Sequence, residues 1–305
     1  MSWSPADIPS QTGRTALVTG VSVGGLGHHT ALELARAGAR VVLAGRNPDK
    51  LAATDAAIHE EVPDAVLERL VVDLADLSSV RAAAAEAASY GSIDLLVNNA
   101  GVMATPYRRT VDGLETQLAT NHFGPFLLTG LLLPQLAPGG RVVTVASQMH
   151  RLAHRPPLGD PRTKPTPYLR WIAYAQTKLA NLLFTFELDR RLRESGSTAT
   201  AQAAHPGYAG THLVVNGRFG RSTGAVASLL DRANRLVSQS PAVGAWPTLM
   251  AATADVPGST YCGPSGLGEA AGAPQLVGWS AQAADRDSQR RLWQLSEATT
   301  GITYP

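Results

Sequence analysis

The sequence predicts a single-domain α/β fold, in which helices cover both faces of a doubly wound parallel sheet. Three observations predict it. Strand and helix signals alternate through roughly the first two hundred residues, as crossover connections between parallel strands require. The strand-like run 15–19 leads through a glycine-rich turn into a helix. The chain has 305 residues, 44% hydrophobic and 16% charged, which is enough to bury one large core.

The first strand–turn–helix unit predicts a phosphate-binding site. Thr15–Thr19 is β-branched and apolar, and the turn from Gly20 to Gly27 follows it. Glycines allow close backbone approach, and exposed N–H groups at a helix start attract anions. The helix is expected to end at Gly38, and its apolar face is supplied by Ala31, Leu32, Leu34, Ala35 and Ala37.

The second strand, 40–44, ends where a dinucleotide-binding unit selects its cofactor. An NAD site usually has a carboxylate there, but this chain has Arg46, which suits a 2′-phosphate. We therefore expect NADP(H) in preference to NAD(H). The alternative is that Arg46 is only a solvated residue at a strand end.

Later segments complete the predicted sheet, with further strands at 69–74, 93–98, 141–145 and 198–204. We expect about 13–207 to form the cofactor and catalytic core and about 208–240 to form a substrate lid. Residues from about 241 to 305 would complete the fold.

Tyr174 and Lys178 lie one helical turn apart on the same predicted helix face. A fixed positive charge stabilises a phenolate and lowers the pKa of the phenol, so the pair can do acid–base chemistry. The spacing alone also occurs on ordinary amphipathic helices. The surrounding motifs decide between these interpretations.

The motifs, in their order, resemble those of the short-chain dehydrogenase/reductase family. They are Thr19-Gly20, Gly25-Leu26-Gly27, Asp73-Leu74, Asn98-Asn99-Ala100-Gly101, Asn121, Ser147, Tyr174 with Lys178, and His205-Pro206-Gly207. Phrases such as Asn99-Ala-Gly-Val-Met103 look most like the retinol dehydrogenase and WW-domain oxidoreductase branch. The resemblance implies a Rossmann-type domain. It also implies an oxidoreductase that interconverts a hydrophobic ketone or aldehyde and its alcohol by hydride transfer.

The resemblance also implies residue roles. Tyr174 would be the acid and base, Lys178 would lower its pKa and hold the nicotinamide ribose, Ser147 would polarise the substrate oxygen, and Asn121 would position a water. The implied cofactor contacts, besides Tyr174 and Lys178, are Gly20, Ser22, Gly24, Gly25, Leu26, Gly27, Arg46, Asp73, Leu74, Asn99, Ala100, Gly101, Pro206, Gly207 and Thr211. Asp73 has an alternative role as a cap of the following turn.

The cofactor turn departs from the family pattern. Four residues separate Gly20 from Gly25, where the family usually has three between its first two glycines. Either Gly24 takes the usual place and the helix entry shifts, or Gly25 takes it and the loop bulges. The extra residue lies where the backbone would approach the pyrophosphate most closely.

Composition narrows the classes of function. A formal charge of +2 argues against nucleic-acid binding, and the single Cys262 allows no intramolecular disulfide, which suits a reducing cytosol. The polar start 1–13 predicts no signal peptide, and Pro134 interrupts the run 126–136, so we expect no membrane anchor and a cytoplasmic protein. No metal site is expected, because His150 and His154 precede a proline-rich loop. His28 and His29 are expected to face solvent.

Substrate specificity is expected in the segments 148–173 and 208–235, which carry apolar side chains. A redox-neutral isomerase, cyclase or lyase, and a non-catalytic cofactor-binding scaffold, are the alternatives to the oxidoreductase. Apolar residues such as Leu179, Leu183 and Phe186 on the Tyr174 helix favour a homodimer, although residues 243–305 are long enough to cover that face and leave a monomer.

Overall fold

The computed structural model describes residues 2–208 and 239–305. Thr211 and nearly all of the expected lid lie outside the described residues. The strands are β1 (Thr15–Thr19), β2 (Arg40–Gly45), β3 (Leu67–Val71), β4 (Ile93–Asn98), β5 (Leu136–Val145), β6 (Thr200–Ala204), β7 (Tyr261–Pro264) and β8 (Pro274–Leu276). They form one sheet in the order β3-β2-β1-β4-β5-β6-β7-β8. Strands β1 to β7 pair in parallel, and β8 is antiparallel to β7.

Helices follow most strands. They are α1 (Leu26–Arg36), α2 (Pro48–Glu61), α3 (Leu77–Ala87), α4 (Thr116–Leu118), α5 (Gly124–Leu132), α6 (Arg170–Glu194), α7 (Pro241–Gly244), α8 (Trp246–Thr253), α9 (Ala281–Ala284) and α10 (Arg286–Thr300). A π-helical turn, Ala119–Phe123, joins α4 to α5. Within residues 2–208 and 239–305, no helix is long and apolar enough to span a bilayer.

Two hydrophobic clusters cover the two faces of the sheet. One packs side chains of α3, α5, α6 and α10 against the strands, and the other packs those of α1, α2 and α8. The central strands β1 and β4 are almost wholly buried because helices cover both sides of the sheet. The predicted Rossmann-type doubly wound fold is therefore confirmed.

The predicted strand bounds agree best where both flanks of the strand are buried. Strands β1 and β4 have the expected limits. The third strand lies two or three residues earlier than expected, at Leu67–Val71, and its outer position leaves it largely half-exposed, so its apolar pattern is weak. Strand β5 begins earlier than expected, because Leu136 pairs with Ile93 ahead of the glycines at 139 and 140.

The chain end covers the outer face of α6. Trp293 on α10 stacks on Phe184 with ring centroids 6.0 Å apart, and the Arg191 guanidinium lies 4.4 Å above the Trp293 ring. Leu179, Leu182 and Leu183 on α6 are also buried within the chain. Much of the apolar surface that favoured a homodimer is thus used internally, and a homodimer stays a prediction.

Candidate active site

The carboxyl end of β5 brings the predicted catalytic residues together. Lys178 reaches from α6 to the last residue of that strand, where its Nζ donates to the Val145 carbonyl oxygen at 2.8 Å. The same Nζ lies 5.7 Å from the centroid of the Tyr174 ring. Ser147 follows two residues after β5, and its side chain interacts with the Tyr174 phenol. The three side chains therefore form one cluster, in which Tyr174 and Lys178 are buried and Ser147 is half-buried.

Tyr174 is a protonated phenol in this environment. The residue is 7% exposed, and burial raises the pKa of Tyr174 to about 12, an effect that the hydrogen bond with Ser147 partly opposes. The net shift is opposite in direction to the one expected from Lys178, because removal of the phenol from water outweighs stabilisation of the phenolate. At neutral pH the group is therefore ready to donate a proton.

Desolvation also determines the pKa of Lys178. Its side chain is 5% exposed, and burial lowers its pKa to about 8. An ammonium has three donors, and among the described residues it uses one, toward Val145. Gly101 lies beside it, since a methyl group added there would be 3.7 Å from Nζ.

Ser147 is held by the turn that it starts. Its Oγ accepts the Met149 N–H at 3.2 Å and so caps the short helical turn Gln148–Leu152. The Ser147 carbonyl oxygen accepts from Nδ1 of His150 at 2.8 Å. The Ser147 hydroxyl donates toward the Tyr174 phenol, since this hydrogen bond lowers the pKa of Tyr174, and it could turn to polarise an oxygen atom placed beside that phenol.

Asn121 lies in the π-helical turn, a distortion that is frequent at functional sites. Its side chain makes two hydrogen bonds to the Val102 backbone: Oδ1 accepts the N–H at 2.8 Å, and Nδ2 donates to the carbonyl oxygen at 2.9 Å. It also donates to Thr177 Oγ1 at 2.9 Å. These bonds fix the loop after β4 against α6 beside Lys178, and the water-positioning role stays a prediction.

The structure of the cofactor turn shows whether Gly24 or Gly25 takes the place of the family's second glycine. Helix α1 begins at Leu26 with Gly25 at its N-cap, so Gly25 takes the helix-entry place. The Gly25 N–H donates to the Ser22 carbonyl at 2.8 Å, which closes a β-turn over Ser22–Gly25. Gly24 occupies its third position with φ of 74°, a value that favours glycine. The extra residue is therefore absorbed as a bulge before the helix.

Close packing also explains Gly27 and Asn99. A methyl group on Gly27 would lie 2.6 Å from the Gly20 oxygen and 2.5 Å from Asn99 Nδ2. The Asn99 side chain donates to the Thr19 carbonyl at 2.7 Å, which ties the end of β4 to the turn. The N-cap of α1 has no side-chain hydrogen bond, so the helix start suits an anion such as a pyrophosphate.

Comparison with known proteins identifies the family. The family model described as short chain dehydrogenase matches residues 14–157. Retinol dehydrogenase 13 of Homo sapiens is 38% identical over 99% of this chain and 88% of its own length. The chain belongs to the short-chain dehydrogenase/reductase family. A polyprenol dehydrogenase of Mus musculus is 38% identical over 97% of this chain and 87% of its own.

Two solved structures share the fold. An uncharacterised protein from Mycobacterium paratuberculosis matches with a TM-score of 0.83 and 41% identity, and all of both chains is covered. A Shigella flexneri short-chain dehydrogenase, solved as a complex with NADP, matches with a TM-score of 0.64 and 22% identity, covering 84% of this chain and 98% of that one. The chain is thus an oxidoreductase of the short-chain dehydrogenase/reductase type.

Other residues that the family resemblance implied lie at the same edge of the sheet. Arg46 is exposed after β2, and its guanidinium forms no ion pair with any of the described residues. Asp73 accepts the Ala75 N–H at 2.9 Å, so it caps the following turn, as its alternative role predicts. Its contact with adenine stays a prediction. Leu74 is buried against Gly124.

Sequence reasoning missed a network centred on Glu269. His205 donates from Nε2 to Glu269 at 2.9 Å and accepts the Gly207 N–H at 3.2 Å. Burial lowers the pKa of His205 to about 3, so this imidazole is neutral. Gln148, next to Ser147, also donates to Glu269. Glu269 therefore ties the segment that carries Ser147 to the Pro206–Gly207 turn, and it holds a φ of 56° to do so.

Two histidine predictions can be compared with the structure. His28 is buried, so its expected solvent exposure is wrong, and His29 is half-buried. His150 is buried as well, and it accepts the Ser280 N–H at 3.3 Å in addition to its bond to Ser147. Across residues 2–208 and 239–305, no three His, Cys, Asp or Glu side chains gather as a metal site requires.

Proposed function

We propose that this protein is an NADP(H)-dependent oxidoreductase that interconverts an apolar ketone or aldehyde and its alcohol. The observation that supports the proposal is the cluster of half-buried Ser147 with buried Tyr174 and Lys178 at the carboxyl end of β5. The bound nicotinamide nucleotide would supply or accept the hydride. The side chains of the cluster would bind the substrate oxygen and move its proton.

Tyr174 would give its proton to the substrate oxygen during reduction. A pKa near 12 keeps the phenol protonated at neutral pH, and removal of water strengthens every interaction in the cluster. Ser147 would donate a hydrogen bond to the same oxygen and stabilise the charge that develops on it. Lys178 would hold positive charge beside the phenol and favour its ionised form after transfer.

Arg46 supports the choice of NADP(H). Its guanidinium is exposed at the end of β2 and finds no carboxylate partner in the described residues. A free guanidinium binds a phosphate by charge-assisted, bidentate hydrogen bonds. The same position lacks the carboxylate that would bind the ribose hydroxyls of NAD.

A cavity next to Trp171 supports an apolar substrate. It has a volume of about 520 Å³ and is lined by Pro106, Tyr168, Leu169, Arg170 and Trp171. Trp171, which lines the cavity, packs edge-on against Tyr174 with ring centroids 6.4 Å apart, so the cavity wall and the proposed proton donor are joined through this one side chain. Leu169 and Trp171 are partly exposed, which would let them cover an aliphatic or polyene chain.

The first experiment measures the affinity for NADPH and NADH by nicotinamide fluorescence in the native protein and in Arg46→Asp. We expect a preference for NADPH that the substitution removes, because it exchanges attraction to the 2′-phosphate for repulsion. Arg290→Asp, on the exposed side of α10, is the matched control and should keep the preference. Equal affinity of the native protein for both nucleotides would refute the role of Arg46.

The second experiment tests the proton donor with retinal and decanal as probe aldehydes and NADPH consumption as the readout. Tyr174→Phe should lose turnover while it keeps NADPH affinity, since the change removes only the phenol oxygen. Tyr90→Phe is the control, because the Tyr90 hydroxyl bonds Glu86 on the surface, far along the chain from the cluster. Full turnover in Tyr174→Phe would contradict the proposed mechanism.

A further inference from the structure

The bulge in the cofactor turn is closed by a side chain as well as by its own backbone. The Gly24 N–H donates to Nδ1 of His28 at 3.2 Å. His28 is in the first turn of α1, four residues after Gly24, so the bond folds the bulge back onto the helix start. Two further bonds hold this turn: the Gly25 N–H donates to the Ser22 carbonyl at 2.8 Å, and the Thr54 hydroxyl donates to the Val21 carbonyl at 3.0 Å.

His28 is held as a neutral acceptor. It is 5% exposed, and burial lowers its pKa, an effect increased by His29 and opposed by Glu61. The two imidazole rings are 4.9 Å apart, and Arg36 pairs with both Glu61 and Glu33 nearby. Because Nδ1 accepts from Gly24, Nε2 carries the proton. That Nε2 is buried and has no hydrogen-bond partner among the described residues.

A buried donor without a partner normally destabilises a fold, so its retention next to the cofactor turn requires a reason. The geometry supplies this reason at the other ring nitrogen, Nδ1, which accepts a hydrogen bond from the turn. It accepts the N–H of Gly24, which has a positive φ, and the neighbouring Val23 is 47% exposed. Without the bond, the Gly24 N–H has no acceptor, and one of the contacts that hold the bulge beside the start of α1 is lost.

We propose that His28 is a positioning residue of the cofactor turn, which accepts the Gly24 N–H and so keeps the extra residue clear of the phosphate-binding helix start. The inference rests on the proposed cofactor site at this turn. It goes beyond that site because it assigns a role to a side chain outside the cofactor contacts. It also implies that protonation of His28 weakens cofactor binding, since an imidazolium cannot accept the Gly24 N–H.

Two substitutions at His28 separate acceptance of the bond from simple packing. Asn places its Oδ1 where the histidine has Nδ1, so His28→Asn keeps the acceptor. Leu has the same branching as Asn but no acceptor, so His28→Leu removes it. His29→Leu is the matched control, because His29 lies next to the turn and makes no hydrogen bond to Gly24.

The readouts are the Kd for NADPH from fluorescence titration and the hydrogen exchange of the Gly24 amide without nucleotide. For His28→Leu we expect about tenfold weaker NADPH binding and faster Gly24 exchange, and for His28→Asn and His29→Leu we expect values near native. On acidification from neutral pH to about pH 5, binding should weaken more in the native protein than in His28→Asn.

The outcomes separate this inference from the proposed function. Unchanged Gly24 exchange and unchanged Kd in His28→Leu would overturn the inference and leave the function intact. Tighter binding by the native protein than by His28→Asn at acid pH would also overturn it, because the charge of His28 would then act directly on the phosphates. A native protein that binds no nucleotide would refute the proposed function, while the exchange data would still decide whether His28 holds Gly24.

Discussion

Replacement of Lys178 by Met should stabilise the fold while it removes activity. Burial lowers the pKa of Lys178 from 10.5 to about 8. Keeping that ammonium buried at neutral pH costs roughly 3 kcal/mol of folding free energy, since a tenfold change in proton affinity corresponds to about 1.4 kcal/mol. Met fills a similar volume but loses the hydrogen bond to Val145, which contributes about 1 kcal/mol. The net gain is about 2 kcal/mol, or roughly 4 °C in Tm for a chain of this size.

The stability difference between Lys178→Met and the native protein should depend on pH. The folded-state pKa lies below the unfolded one, so between about pH 8 and 10.5 the unfolded chain binds more protons and native stability rises with pH. The advantage of Lys178→Met should therefore be full below pH 8 and should shrink above it. Thermal unfolding at several pH values measures this, with the exposed Lys50→Met as control. A variant less stable than native at neutral pH would refute the argument that desolvation dominates at Lys178.

Three further predictions test other parts of the site. Ser147→Ala should lower kcat by roughly a hundredfold or more with little change in NADPH affinity, because one donor to the reacting oxygen is lost. Glu269→Ala should lower the free energy of unfolding by about 1–3 kcal/mol, measured by urea denaturation, because the buried His205 donor loses its acceptor. Gly27→Ala should abolish NADPH binding, as its methyl would lie 2.6 Å from the carbonyl oxygen at the start of the turn, whereas Gly159→Ala, with open space around it, should bind normally.

The sequence predicts the centre of the fold better than its borders. Strands β1 and β4 are buried on both faces, so the apolar residues at their centres, 16–18 and 95–97, locate them in the sequence. Strand β3 is an edge strand with several half-exposed side chains, and its shifted bounds follow from the weaker pattern. The antiparallel β8 has three residues, and no pattern of that length identifies a strand.

The residues of the candidate site also differ in how well the sequence predicts them. Ser147, Tyr174 and Lys178 carry recognisable motifs, and their convergence follows from the parallel sheet, whose strands all end at one edge. Glu269 carries no motif, because its role depends on the return of the chain through β7 to a position beside Gln148. The position of His28 in the sequence predicts solvent exposure, and only the fold of the bulged turn shows why it is buried.

Desolvation links the stability of the cluster to its proposed use. Lys178 has three donors, and within the part of the chain that the structure describes Val145 accepts one. Ribose hydroxyls next to the ammonium would accept the others, and hydrogen bonds to a charged group favour its charged form. NADPH should therefore raise the pKa of Lys178 and recover part of the folding free energy that its burial costs. The stability advantage of Lys178→Met should then narrow or reverse at saturating NADPH, which Tm measurements with and without the nucleotide would show. An unchanged advantage would place the cofactor's ribose away from Lys178.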